Sequence, residues 1–239
     1  MFFEFSLALL ALATSAIAGV LGFGGGMLLI AIMPMFLPAT AIIPVHGITQ
    51  LVSNSSRVVF SLNDVQWSLL PPFLLGSLLG LFVFGFLLYS LPTDYIPIAI
   101  GSYILLSLWS EPFNGFIKRY ESFYAVGAVQ TGLSLIVGAT GPLSTSILTR
   151  HLGDKNKIIA TGAIFMTISH LSKILIFGLI GFDFSAYSTL IIAMSVGAIV
   201  GSYLGTRFRQ QLDNQRYLTI VKILLTILAL QMIVSRVFA

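Results

Sequence analysis

An all-α integral membrane protein of about eight transmembrane helices, in two four-helix repeats with broken helices at glycine-rich motifs, is the fold class this sequence predicts. Three observations predict it. Hydrophobic residues make up 57% of the chain and charged residues only 8%, with a mean hydropathy of +1.00, whereas a soluble domain carries about 25% charged residues. Apolar stretches long enough to cross a bilayer, about 20 residues each, recur between short polar breaks. Finally, the two halves of the chain look like copies of each other.

The composition sets the solvent. No soluble fold of 239 residues could hide this much apolar surface. The net charge of +4 does not point to nucleic acid, because the basic residues sit in short loops rather than along one stripe. There are no cysteines, which excludes disulfides, thiol catalysis and cysteine metal sites. Met1-Phe2-Phe3-Glu4 lacks a basic segment and the apolar run after it is long, so no cleavable leader is expected.

The predicted spans of the first half run from Phe5 to Ile32, Thr40 to Leu62, Gln66 to Ser90 and Tyr95 to Ser110. Those of the second run from Phe123 to Thr149, Lys157 to Ile180, Ser185 to Thr206 and Tyr217 to Val237. Turn and charge signals separate them: Asn63-Asp64, Leu91-Pro92-Thr93-Asp94, Glu111-Pro112-Phe113-Asn114-Gly115, Gly153-Asp154-Lys155 and Leu212-Asp213-Asn214. All eight acidic residues lie at or near such breaks. A shift of 116 pairs Gly22 with Gly138, Asn54 with His170 and Arg57 with Lys173; a shift of 121 pairs Gly76 with Gly197, Gly80 with Gly201 and Leu91 with Leu212. The repeats are therefore residues 1–115 and 116–239, forming one domain in total. Four full spans per half would make them parallel, and a re-entrant span in each would make them inverted. Duplicated halves are how many secondary transporters are built, with the site at the repeat interface.

Three constellations stand out from the lipid-facing background. Gly22, Gly24, Gly25 and Gly26 crowd the middle of the first span, and glycine costs a helix interior about 1 kcal/mol per residue relative to alanine. The counterpart is Gly138, Thr140 and Gly141 before Pro142, and proline is well tolerated in the first turn of a restarting helix. A break at membrane depth is tolerated only where it is buried in protein or lines a polar cavity, and the exposed N–H groups of a half-helix start attract anions. Close helix packing is the plainer reading of the same glycines. Second, His46, Gln50, Ser53, Asn54 and Arg57 share one helical stripe, answered by Thr167, His170 and Lys173. A charge inside a span costs about 3 kcal/mol, unless Arg57 and Lys173 snorkel to an interface. His46 and His170 are too few for a metal site, and His46 reads as a histidine hydrogen-bonded inside the bundle. Third, Gly76, Gly80, Gly197, Gly201 and Gly205 at four-residue spacing read as helix-packing contacts.

The run Gly19-Val20-Leu21-Gly22-Phe23-Gly24-Gly25-Gly26, with Pro34 downstream, resembles the signature of the TauE/SafE sulfite-exporter family, also called the toluene-sulfonate uptake permease family. The run from Gly132 to Pro142 is similar to that family's second repeat, with Ala139 and Thr140 where glycine is common. Size and repeat order extend the resemblance over essentially the whole chain. It implies a multi-pass carrier in a prokaryotic cell (inner) membrane, moving small sulfur-containing anions such as sulfite, thiosulfate or organosulfonates.

From the residues themselves, intramembrane cations and two helix N-termini without a midplane carboxylate describe an anion site. The expected substrate-binding residues are Gly22, Gly24, Gly25, Gly26, Gln50, Asn54, Arg57, Gly138, Thr140, Gly141, His170 and Lys173. No catalytic, cofactor or metal site is expected, and the chain does not read as an enzyme. The partners expected are a small anion and the lipid bilayer, with proton and sodium coupling both open, as is a homo-oligomer. A passive anion channel is the nearest alternative. An intramembrane lipid-phosphate enzyme would need an acidic cluster or a nucleophile–base pair at depth. Counted over eight spans, six loop cations lie opposite the termini and three beside them, which places both termini outside the cytoplasm.

Overall fold

The structure, a computed structural model, describes residues 2–89, 95–119, 122–209 and 214–237. The predicted break Leu91-Pro92-Thr93-Asp94, most of Leu212-Asp213-Asn214 and the Leu91–Leu212 pairing lie outside them. The described residues form helices joined by short turns: α1 (Phe2–Leu21), α2 (Gly25–Ile32), α3 (Ala39–Val59), α4 (Leu70–Tyr89), α5 (Ile96–Trp109), α6 (Glu111–Arg119), α7 (Phe123–Val137), α8 (Gly141–His151), α9 (Lys155–Leu179), α10 (Ser188–Phe208) and α11 (Asn214–Val237).

Five stretches are long and apolar enough to cross a membrane: Phe3–Leu21, Trp67–Leu88, Lys155–Leu179, Ser185–Phe208 and Leu218–Ser235. Shorter apolar helices occupy Gly25–Met35, Ile96–Trp109 and Phe123–Val137. Helix α3 matches the long ones in length, but its polar stripe lowers its hydropathy, and the stripe is buried. The outward apolar residues include Phe82, Phe86 and Leu179, 77%, 80% and 82% exposed. Water would not tolerate so extensive an apolar surface, whereas lipid does.

The predicted Phe5–Ile32 and Phe123–Thr149 spans differ from what forms. Each is a helix, a glycine break and a return half-helix, so the chain reverses instead of continuing through. Gly22 and Gly24 adopt φ of 86° and 88°, and Gly138 adopts 75°, the left-handed region that glycine enters without steric cost. The Phe36 ring after α2 therefore comes back to 6.0 Å from Phe3 at the start of α1. In the second hairpin His151, ending α8, lies 5.1 Å from Phe123 at the start of α7. Another difference is α6, where the sequence suggested only a break. The Ser110 hydroxyl accepts the Phe113 N–H at 3.2 Å, capping a short helix whose first turn holds Glu111 and Pro112.

The glycine stripes do what their spacing predicts. On α10, Gly197, Gly201 and Gly205 lie against the carbonyls of Ala8, Leu12 and Ala16 on α1, so these helices run parallel in backbone contact. On α4, Gly76 and Gly80 lie in the same way on Tyr124 and Ala128 of α7. Helices α3 and α9 cross antiparallel, with Gly47 beside Lys173 and Val58 clustered with Ala160 and Ala163. Helix α5 packs antiparallel on α11, where the Trp109 indole N–H donates to Thr226 Oγ1 at 2.9 Å. Each first helix of one half thus packs on the glycine helix of the other.

Gly201→Ala is expected to lower stability by about 1–3 kcal/mol, because an added methyl meets backbone that cannot yield. Gly115→Ala, with no atom within 4 Å of the new methyl, should gain up to about 1 kcal/mol of helix propensity. Melting temperatures of the two purified variants check this, and equal values would show that α1 and α10 are not held by backbone contact.

Candidate functional site

Breaking a helix in hydrocarbon leaves carbonyls at one cut end and amides at the other without partners. The site is built from the side chains that meet them. At the cut end of α7, Lys173 of α9 donates from Nζ to the Gly138 carbonyl. At the cut end of α1, the buried Arg209 after α10 donates from Nε to the Gly19 carbonyl at 2.9 Å and from Nη1 to Asn156 Oδ1 at 3.3 Å. Both cations sit at helix C-termini, where the macrodipole favours them. Burial pulls the Arg209 guanidinium below its ordinary range, and Asp64 partly offsets this.

The two half-helix starts are treated differently. At α8, Gln130 reaches across from α7: its Oε1 accepts the Ser144 N–H at 3.0 Å, while its backbone carbonyl accepts Thr140 Oγ1 at 3.1 Å. The residue matching Gln130 in the first half, at the shift of 116, is Thr14. Its hydroxyl turns back to the Leu10 and Ala11 carbonyls of its own helix. At α2 the N-cap residue is Gly24, which has no side chain, and among the described residues no side chain answers Gln130 by accepting from the first amides.

Beside that open start the polar stripe of α3 comes closest to the break. His46 Nε2 donates to the Gly26 carbonyl at 2.9 Å. A carbonyl can only accept, so Nε2 carries the hydrogen and Nδ1 is a bare base in the neutral ring. A Cβ placed on Gly26 would stand 3.1 Å from Gln50 Oε1 and 3.8 Å from His46 Nε2; one on Gly138 would stand 3.8 Å from His46 Nδ1. His170 of α9 meets His46 edge-on at 5.7 Å between ring centroids. Four polar atoms in this cluster are buried with no hydrogen-bond partner: both nitrogens of His170, Nδ1 of His46 and Nε2 of Gln50. Buried polar groups are ordinarily paired, which sets this cluster apart as the candidate site.

Of the expected residues, the structure therefore brings together Gly26, Gln50, Gly138, His170 and Lys173, with His46 added. The others have different surroundings. Gly22 faces Ile159, Gly24 faces Val221, and Gly25 lies on the Thr14 carbonyl and Ala18. Thr140 and Gly141 belong to the closed start of α8. Asn54 donates from Nδ2 to the Gln50 carbonyl at 2.7 Å and accepts from Arg57 Nη1 at 3.2 Å. Arg57 and Lys173 do not share one position. Lys173 packs beside Gly47, ten residues before Arg57 on α3, or about 15 Å along the axis at 1.5 Å per residue.

Sequence reasoning passed over Gln130, Arg209 and two hydroxyl clusters. Ser53 bonds Ser15 at 2.9 Å and Ser202 at 3.1 Å, joining α1, α3 and α10. Thr131 bonds Ser77 at 2.9 Å and Ser169 at 3.1 Å, joining α4, α7 and α9. A shift of 116 relates Ser15 to Thr131 and Ser53 to Ser169, so that signal was present in the repeat.

Gln130→Leu should remove the cap on α8 and lower stability by about 0.5–2 kcal/mol. Thr14→Val, at the matching but uninvolved position, should cost less. A melting curve for each variant decides it; an unchanged value for Gln130→Leu would mean that α8 is capped by another group.

Comparison with curated proteins and with solved structures gave no match. The family model described as Sulfite exporter TauE/SafE matches residues 7–232, taking in both hairpins, the polar stripe and the glycine helices. The chain is a multi-pass membrane protein that belongs to the sulfite exporter TauE/SafE family, a family of membrane transporters.

Proposed function

We propose that this protein is a secondary transporter of small sulfur-containing oxyanions, such as sulfite, thiosulfate or an organosulfonate, across a prokaryotic cell membrane. The observation that carries the reading is the set of four unpartnered polar atoms on His46, Gln50 and His170 beside the uncapped start of α2. The Gln50 amide, one N–H of His170 and the first amides of α2 are donors suited to an oxyanion. Lys173 supplies positive charge from the adjoining break. Gly22, Gly24 and Gly25 make the reversal possible, and Asn54 links the Gln50 backbone to Arg57. A carrier fits better than a channel, because the cluster is buried among packed helices.

His46 Nδ1 becomes a donor only when it takes up a proton, so we read the anion as moving with a proton. The alternative, sodium, needs free carbonyl oxygens, and the Gly26 and Gly138 carbonyls already accept from His46 and Lys173. Thiosulfate should raise the melting temperature of the purified protein, and if a proton moves with it the rise should grow as the pH falls. His170→Phe should weaken that binding about tenfold or more. His46→Gln keeps a donor for Gly26 and should flatten the pH dependence. A wild-type response to thiosulfate that ignores pH would sink the proton reading, and no response to any sulfur oxyanion would sink the site.

The architecture supports the same reading. We infer that residues 1–115 and 116–239 are inverted repeats, because α1 to α5 and α7 to α11 follow the same order while matching helices run in opposite directions. The hairpins also change the charge count. Lys118, Arg119, Arg150, Lys155, Lys157, Arg207, Arg209 and Arg216 fall at the face opposite the termini, leaving Arg236 beside them. Eight against one puts the termini outside the cytoplasm. The chain has no cysteine, so single thiols report sidedness. Met35→Cys should react with an impermeant maleimide in right-side-out vesicles and Gly153→Cys in everted ones; the reverse pattern overturns the orientation.

A further inference from the structure

A cleft of about 410 Å3 runs along α8, from Phe23 and Pro142 near the two breaks to Arg150 in the last turn of α8. Its other wall is Lys222 of α11, with Ser107 and Leu108 of α5. The Lys222 ammonium lies over the Trp109 ring, 3.8 Å from its centroid. An aromatic face holds a cation in place without neutralising it, so the charge remains available to an anion. Thr145, Thr149 and Ser107 line the cleft with hydroxyls already donated to carbonyls of their own helices. They make the wall polar, and the attraction comes chiefly from Lys222, with the Arg150 guanidinium at the mouth of the cleft.

The matching cleft at the terminal face has a different character. It occupies the equivalent place, between α2 and the other ends of α5 and α11, with about 310 Å3. Met35, Leu37, Pro97 and Met232 line it, and Gln231 and Ser235 are polar but uncharged. One architecture thus presents two mouths, and among the described residues that line them the positive charges lie at the one opposite the termini.

We propose that the α8 cleft is an anion-loading vestibule, a second and more exposed site where Arg150 and Lys222 capture the transported oxyanion before it passes Phe23 to the histidine cluster. This rests on the reading of the histidine cluster as the central anion site. Phe23 lines the cleft at its end near the breaks, its Cβ 3.6 Å from where a Cβ on Gly141 would lie. A cation-lined cleft with low-dielectric walls concentrates anions and speeds their entry, so the loaded face is the one bearing most of the loop cations.

The test is thiosulfate transport in membrane vesicles of both orientations, with Lys222→Gln, Arg150→Gln and the double variant. Equilibrium thiosulfate affinity comes from thermal shift of the same proteins. The double variant should raise KM about three- to tenfold for anion presented at the α8 face in low salt, and much less in high salt, which screens exposed charges. KM from the terminal face and the equilibrium affinity should stay within about twofold, since neither variant touches the central cluster. Unchanged KM at the α8 face with central affinity intact overturns the vestibule. If anionic lipid then stabilises the wild type but not the double variant, the two cations belong to a lipid phosphate instead. Loss of equilibrium affinity in wild type would remove the central site, and the vestibule with it.

Discussion

A backbone amide or carbonyl without a partner in hydrocarbon costs several kcal/mol, and this chain interrupts two of its apolar helices at glycine breaks. Most of what is unusual in the sequence answers that constraint. Lys173 meets the carbonyl at one cut and Arg209 the carbonyl at the other. Gln130 caps the start of α8, and His46 holds the first turn of α2 through Gly26. Burying a cation without a carboxylate beside it is ordinarily unfavourable. Here a helix C-terminus, with its partial negative charge, takes the place of the carboxylate. That is why the interior carries Lys173 and Arg57 while every acidic residue stays near a loop.

The same constraint is met differently at the two hairpins. Both hairpins start from the same geometry, with positive-φ glycines at the reversal. At one, the side chain at the matching position is a glutamine long enough to reach the half-helix. At the other it is Thr14, whose short hydroxyl can reach only its own helix. The closed hairpin is structurally complete, whereas the open one leaves the donors of Gln50 and His170 without partners.

How much of this was legible in the sequence follows from which interactions are local. Hydropathy, the glycine stripes and the glycine breaks are read along one helix, and all correspond to features of the structure. Gln50, His170 and Lys173 were visible as polar residues in apolar spans. What could not be read was direction. A run of 28 residues from Phe5 to Ile32 looks the same whether it continues or doubles back, and only the approach of Phe36 to Phe3 shows which. That one reversal moves Lys118 and Arg119 to the other face. Long-range pairings were equally hidden: Arg209 lies in a predicted loop, and nothing local says that it reaches Gly19, 190 positions away. His46 looked like a bundle histidine, which its Nε2 is; its bare Nδ1 needed the neighbouring helix to become apparent.

The two repeats in sequence are not two bodies in space. Glycine contacts bind α1 to α10 and α4 to α7 backbone to backbone, and each pairing crosses the boundary between the halves. The hydroxyl clusters extend each pair to a third helix, Ser53 tying in α3 and Ser169 tying in α9. Sliding residues 1–115 against 116–239 would tear both sets of contacts at once, and close-packed interiors resist such shear. The two interwoven sets meet where α3 crosses α9, with Gly47 beside Lys173. His46 belongs to one set and His170 to the other, their rings 5.7 Å apart. On the reading proposed above, an anion held by both would couple its own occupancy to the relation between the sets, because the orphaned nitrogens it would meet lie on either side of their junction.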